Sequence, residues 1–311
     1  MSDSARRICS LLPSATEIVC ALGLEERLVG VTHECDFPHS VQDLPRVTSS
    51  VIDSEGLSAA QIDQAVRDSL ADQATIYHLD RDLLDALHPD LVLTQELCDV
   101  CAVGPDEVRS VIKSLSQQPH VVSLEPRTLE EVFDSILLVG RLTGSIARAQ
   151  RLVGDLRARL RAVSEAVRGC PRPGMLTLEW IDPVFVGGHW VPEMVRIAGG
   201  YDVLGQVGRP SREASWDEVR AAAPEVVVAM LCGFDLDRTV REMRSAHLAD
   251  AWHALPAVRE GRVFATDGSS YFSRPGPRLV DGVEVLASIL HPEVCDRAPA
   301  RSFAPIAAVR A

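Results

Sequence analysis

SIARAQRLVGDLRARLRAVSEAVR, residues 145–168, is the stretch that organises this chain. Ile146, Ala149, Leu152, Val153, Leu156, Leu160, Val163 and Val167 recur every three or four residues, which lays them along one stripe of a helix. A helix of that length is a rod of about 36 Å. CPRPG at 170–174 ends it. No other periodic run in the chain is as long, and what flanks the rod decides what it joins.

On its N-terminal side, strand-like runs alternate with helical ones. RRICSLL (6–12) leads into a helix that Ser14 and Glu17 open as an S-x-x-E capping box. LVGVT (28–32) is a second strand. Helices follow at 58–71 and 80–87, then the apolar strand LVLT (91–94), a helix at 105–117 and a strand at 120–124. A helix at 128–144 carries another box, Thr128 to Glu131. After the rod the alternation restarts. The strands are MLTLEW (175–180), EVVVAML (225–231) and RVFAT (262–266). The helices are 192–200, 215–224 (boxed by Ser215 and Glu218), 237–248 and 277–290. This alternation predicts parallel sheets. The expected domains are an α/β lobe at 1–144, the interlobe helix at 145–168, a second α/β lobe at 169–291 and a loose Ala/Pro/Arg-rich tail at 292–311.

Bulk composition narrows the class. Of 311 residues, 31 are Lys or Arg and 44 are Asp or Glu, for a net charge of −13. That balance repels phosphate backbones and argues against a nucleic-acid partner. No run approaches the roughly 20 apolar residues of a membrane span. The apolar stretch after MSDSARR is broken by Pro13, Ser14, Thr16 and Glu17, so no export core is expected and the cytosol is the expected location. The eight cysteines are then expected as free thiols rather than structural disulfides.

In α/β sheets, ligands sit beyond the carboxyl ends of the strands, and two lobes place the natural site in the cleft between them. Chemistry collects at those ends. HECDFP offers His33, Glu34, Cys35 and Phe37; TQELCDVC offers Gln95, Glu96, Cys98 and Cys101; CGFD offers Cys232. The second lobe adds Trp180, Phe185, His189 and Trp190, then Tyr271, Phe272 and Arg274. For any single aromatic, core packing is as good a reading as ligand contact. Glycine- and proline-rich surroundings favour loops for Trp190 and Tyr271.

LLPSATEIVCALGLEERLVGVTHECDFP, LLDALHPDLVLTQ, PEMVRIAGGYDVLG, SWDEVRAAAPEVVV and LPAVREGRVFATD, in this order, resemble substrate-binding proteins of the iron-chelate and cobalamin ABC uptake class. The resemblance spans most of residues 6–290 and is nearest to the cobalamin-binding branch. It implies a class III periplasmic-binding-protein-like fold: two Rossmann-like lobes, one long interlobe helix and a ligand cleft. It also implies a corrinoid held by contacts from 33–37, 95–101, 180–190 and 271–274. One acid on each lobe, Asp82 and Asp217, would dock to a membrane permease. Residues 51–79 look like an insertion, a lid or an extra helix.

Three functions follow. The first is binding of cobalamin, another corrinoid or a related metal chelate without turnover. Trp180, Trp190, Tyr271 and Phe272 would wall the ligand, and His33 or a thiolate would approach the cobalt. The D-x-H-x-x-G motif of base-off cobalamin enzymes is absent. The second is a zinc or iron–sulfur site built from Cys35, Cys98 and Cys101 with His33 or Cys232. The third is thiol redox chemistry at Cys98 and Cys101. G-x-S-x-G, H-E-x-x-H and G-x-x-x-x-G-K-[ST] are absent, so a metal-dependent or redox enzyme is the alternative to simple binding.

Overall fold

The computed structural model describes residues 4–54, 56–73, 76–95, 105–246 and 250–306. The chain divides into two compact units. One holds Met1–Leu57, Gln61–Pro126 and Glu130–Asp155; the other holds Ser58–Ala60, Arg127–Leu129 and Leu156–Ala311.

The first unit begins β1 (Ile8–Ser10), α1 (Pro13–Ala21), β2 (Leu28–Gly30), β3 (Thr48–Ser50), α2 (Ala59–Gln73), β4 (Tyr77–Leu79) and α3 (Arg81–Leu87). It continues with β5 (Leu91–Thr94), α4 (Pro105–Ser114), β6 (His120–Ser123), α5 (Leu129–Leu142) and the start of α6 (Ile146–Ala166). Four strands form one sheet in the order β2-β1-β5-β6, and every pairing is parallel. Leu91, Val92, Leu93 and Thr94 are all buried, as a strand covered on both faces requires. Cys9 packs with Leu11, Val47, Leu79, Leu84 and Val92 in the core, behaving as a small apolar side chain.

Helix starts show where local pattern and geometry agree. Asp80 caps α3 by accepting from the Leu83 amide at 2.9 Å. Ser215 and Glu218 form both halves of the expected capping box. The box expected at Ser14 and Glu17 does not form. Leu12 is the N-cap, Pro13 takes the first turn, and Ser14 is buried inside the helix. Proline suits that position because its missing N–H has no intrahelical partner there anyway. The 51–79 segment is a helix set between two short strands, since β3 and β4 pair antiparallel on either side of α2.

The long helix α6 runs 21 residues with its stripe inward, and Ala149, Val153, Leu156, Leu160 and Val163 are buried. The division between the units falls within it, at Asp155 and Leu156.

The second unit adds β7 (Gly174–Ile181), β8 (Val184–Val186), α7 (Val191–Ile197), β9 (Tyr201–Asp202), β10 (Arg212–Glu213) and α8 (Trp216–Ala222). It then runs β11 (Val226–Ala229), α9 (Leu236–Ser245), α10 (Asp250–His253), α11 (Pro256–Arg259), β12 (Val263–Thr266), α12 (Gly268–Tyr271), α13 (Leu279–Leu290) and β13 (Phe303–Pro305). Its sheet runs β10-β8-β7-β11-β12-β13, with β9 also on β7. The centre, β7-β11-β12, is parallel, while β8, β10 and β13 are antiparallel additions. Periodicity does not announce strands this short. The expected loose tail is corrected on the same ground: Phe303, Ala304 and Pro305 pair with Thr266, Ala265 and Phe264.

Candidate functional site

In the first unit, the turn after β2 carries His33, Glu34 and Cys35. Arg46 clamps it, donating through Nη1 to the carbonyls of Thr32 (2.8 Å) and Cys35 (2.7 Å). His33 is half-buried. Its Nδ1 lies 2.8 Å from Thr48 Oγ1 and its ring packs against Tyr77 with centroids 5.3 Å apart. The two strands flanking α2 therefore hold the imidazole. Nε2 stands 3.5 Å from a Glu34 carboxylate oxygen, yet it is shielded from solvent and, among the described residues, lacks a hydrogen-bond partner. Burial lowers the His33 pKa, Glu34 partly offsets this, and Arg46 adds to the lowering. Enclosure thus favours the neutral form of the ring. Gln95 is buried just beyond β5, and Phe37 is an exposed aromatic of this turn.

Of the expected sulfur cluster, Cys35 and Cys232 fall within the described residues. Cys35 is buried, and its Sγ lies 3.1 Å from Thr16 Oγ1 and 3.2 Å from Thr32 Oγ1. Two hydroxyls thus surround the thiol that was expected to face a metal. Cys232 is an exposed cysteine of the second unit. Glu96, Cys98 and Cys101 lie outside the described residues. Among the described residues, no group of three or more His, Cys, Asp or Glu side chains is arranged to hold a metal ion.

In the second unit, Trp180 stands one residue before the end of β7 and meets Phe234 edge-on, with ring centroids 5.2 Å apart. The Arg238 guanidinium lies 4.0 Å from the Phe234 ring centroid, so a cation, a phenyl and an indole form a stack beyond β7 and β11. The indole Nε1 of Trp180 is shielded from solvent and, among the described residues, has no acceptor. Phe185, on β8, pairs opposite Trp180 and is half-buried. His189 is half-buried, holds a left-handed φ of 49°, and has its pKa lowered by burial and by the Arg127 charge.

Two expected walls are corrected. Trp190 and Phe272 are 5% and 2% exposed, and Trp190 Nε1 donates to the Phe272 carbonyl at 2.8 Å. They are core partners rather than loop aromatics, because α7 starts at Val191 and turns Trp190 inward. Tyr271 is half-buried at the end of α12, and Arg274 is buried. Asp82 and Asp217 stand in the first turns of α3 and α8. Their side chains are 89% and 85% exposed, paired with Arg81 and Arg220. Acids suit that position through the helix dipole alone.

Sequence reading passed over a half-buried polar pair beside these residues. Glu179 accepts from the Gly188 amide (3.1 Å) and from Ser211 Oγ (2.5 Å). Asp202 accepts from Thr177 Oγ1 (2.6 Å) and from the Leu204 and Gly205 amides. Burial raises both carboxyl pKa values. The signal was present in the sequence: MLTLEW places a hydroxyl and an acid at alternate positions of a buried strand.

Comparison with known proteins bears on this arrangement. The family described as periplasmic binding protein matches residues 8–269. The vitamin B12-binding protein of Vibrio cholerae is 25% identical over 296 residues, covering 92% of this chain and 89% of that protein. Among solved structures, a periplasmic heme binding protein from Pseudomonas aeruginosa matches with TM-score 0.73 and 21% identity, over 99% of this chain and 100% of that one. The periplasmic vitamin B12 binding protein of Vibrio cholerae matches with TM-score 0.67 and 22% identity, over 92% and 96%. These structural likenesses show a shared fold.

Proposed function

The chain belongs to the periplasmic binding protein family, and from that premise we propose that it binds a corrinoid of the cobalamin class without turnover. The strand-end loops of each unit supply the contacts: His33, Glu34, Phe37 and Gln95 in the first, Trp180, Phe185, His189, Tyr271 and Arg274 in the second. The observation that carries the reading is the Trp180 indole N–H, withdrawn from water and lacking an acceptor, beside an aromatic face. A buried donor left without a partner costs about 1–3 kcal/mol. A flat ligand with amide carbonyls on its rim would relieve that cost and cover the ring. The likeness to a vitamin B12-binding protein over most of both chains points the same way.

Residence in the cytosol belongs to the same proposal; delivery to an uptake permease through Asp82 and Asp217 is the alternative to it, because that docking needs the chain on the outer face of the membrane. The buried free thiols of Cys9 and Cys295 suit a reducing compartment. Cell fractionation with an antibody to the chain tests the location. Among the described residues no helix is long and apolar enough to cross a membrane.

The test of the ligand is direct titration of the purified chain with vitamin B12 and, separately, with hemin. Micromolar or tighter vitamin B12 binding, lost in Trp180→Ala and weakened in His33→Ala, supports the reading. Retention of hemin with no retention of vitamin B12 would replace the corrinoid by an iron tetrapyrrole. Retention of neither would remove the proposal.

A further inference from the structure

Thr177 and Glu179 interrupt a strand otherwise built of Met175, Leu176, Leu178 and Ile181. The pairing of β7 with β8 slips at this point. Leu178 faces Val186 and Trp180 faces Phe185, so Glu179 is the extra residue of a bulge. Bulges re-aim side chains and gather beside functional sites. Here the bulge directs Glu179 onto the turn that follows β8, where it takes the Gly188 amide and the Ser211 hydroxyl.

That turn has no slack. The His189 amide donates to the Arg209 carbonyl at 2.5 Å, and its own carbonyl accepts from Gly208 at 2.8 Å. A Cβ on Gly188 would stand 2.2 Å from the Ser211 nitrogen, so only glycine fits. Residues 187–189 and 208–211 are therefore one locked double loop, with Glu179 bonded to both halves. The left-handed φ of His189 is the local strain this lock sustains.

We propose that Glu179 is the positioning residue of the His189 turn: through Gly188 and Ser211 its carboxylate sets where the imidazole stands, and loss of its charge slackens the hold on ligand. The proposal rests on the reading that Trp180, Phe185 and His189 contact the ligand. The titratable and charged groups around the lock are few. Asp202, on β9, opposes the charge of Glu179, and Arg127 acts on His189. Arg212 of β10 is engaged with Glu218. Burial first, and Asp202 with it, raises the Glu179 pKa, while the Gly188 and Ser211 bonds lower it. The carboxylate is thus neutralised in milder acid than an ordinary glutamate. A charge-assisted bond is about twice as strong as a neutral one, so the turn loosens as that happens.

Glu179→Gln keeps the shape and an acceptor for Gly188 while removing the charge. In the ligand-free full chain, the Gly188 amide and the His189 ring are followed by NMR from about pH 7.5 down to the ordinary glutamate value of about 4.3. The two signals should move together in the wild type. In Glu179→Gln the Gly188 signal should be flat, and His189 should keep only its own titration. Ser211→Ala, which removes one donor, should move the Gly188 midpoint to higher pH. A flat Gly188 signal in the wild type, or a Gly188 shift that His189 does not follow, would overturn the proposal.

Vitamin B12 affinity gives the second readout. Glu179→Gln should bind about tenfold more weakly near pH 7, the worth of one charge-assisted bond, and the wild type should converge on it in acid. Parallel profiles offset by a constant factor would mean a purely structural role and overturn the proposal. If the wild type binds no vitamin B12, the ligand reading fails on its own, and the NMR arm still decides the role of Glu179.

Discussion

The indole nitrogen of Trp190 donates to the carbonyl oxygen of Phe272 at 2.8 Å, across 82 positions of sequence. Two aromatics that read as ligand walls are one contact inside the second unit. Trp190→Phe should cost about 1–3 kcal/mol by leaving the Phe272 carbonyl without that donor. Trp190→Ala, which adds a cavity, should cost about 3–5 kcal/mol. Urea unfolding measures both. The folded fraction of each variant should keep wild-type affinity for vitamin B12.

Trp180 should behave in the opposite way. Its N–H already lacks an acceptor, so Trp180→Phe removes an unsatisfied donor and should leave stability unchanged or slightly higher. Affinity should fall severalfold, about 1 kcal/mol, if that N–H meets the ligand. Paired urea and ligand titrations separate the effects, and unchanged affinity would remove Trp180 from the site.

Thiol accessibility follows burial. Cys9 and Cys35 are buried, and the Cys9 thiol is pushed far above its usual range by burial. Burial likewise raises Cys20 to about 12. Alkylation of the native chain followed by peptide mapping should label the exposed Cys232, leaving Cys9 and Cys35 unlabelled until denaturant is added. Native labelling of Cys35 would contradict its enclosure by Thr16 and Thr32.

The pH dependence of stability should carry a histidine signature. Burial lowers the His33 pKa below its ordinary 6.5. As pH falls through that ordinary value the unfolded chain takes up a proton and the folded chain resists, so stability is lost below about pH 6.5. His33→Gln should show less of this loss between pH 7.5 and pH 5.5 in urea titrations. Glu179 and Asp202 act in the opposite sense, because their raised values favour the folded state in acid. A His33→Gln profile parallel to the wild type would mean that the histidine titrates alike in both states.

Asp82 and Asp217 should be separable from the fold. Both are exposed, and exposed pairs contribute little. The double variant Asp82→Arg, Asp217→Arg should stay within about 1 kcal/mol of wild-type stability. It should lose binding to permease-containing vesicles if these acids dock there.

Much of the frame was legible along the chain. The runs LVLT and EVVVAML become the buried strands β5 and β11, and the 145–168 stripe becomes α6. Ser215 and Glu218 cap their helix as spacing implies, because a capping box needs only four neighbouring residues. The same spacing misled at Ser14, where Pro13 set the helix start instead. The short strands β8, β9, β10 and β13 left no readable period, each being two or three residues long.

The sequence by itself determined the α/β alternation, the long helix and the collection of polar and aromatic residues at strand ends. These depend on hydrophobic period and turn chemistry within a few residues. Tertiary structure alone decided which way those residues point. Cys35 turned to two hydroxyls, Trp190 turned to Phe272, and a one-residue slip at Glu179 aimed its carboxyl at Gly188. Side-chain direction in a sheet follows register, and register is settled by partners far away in sequence.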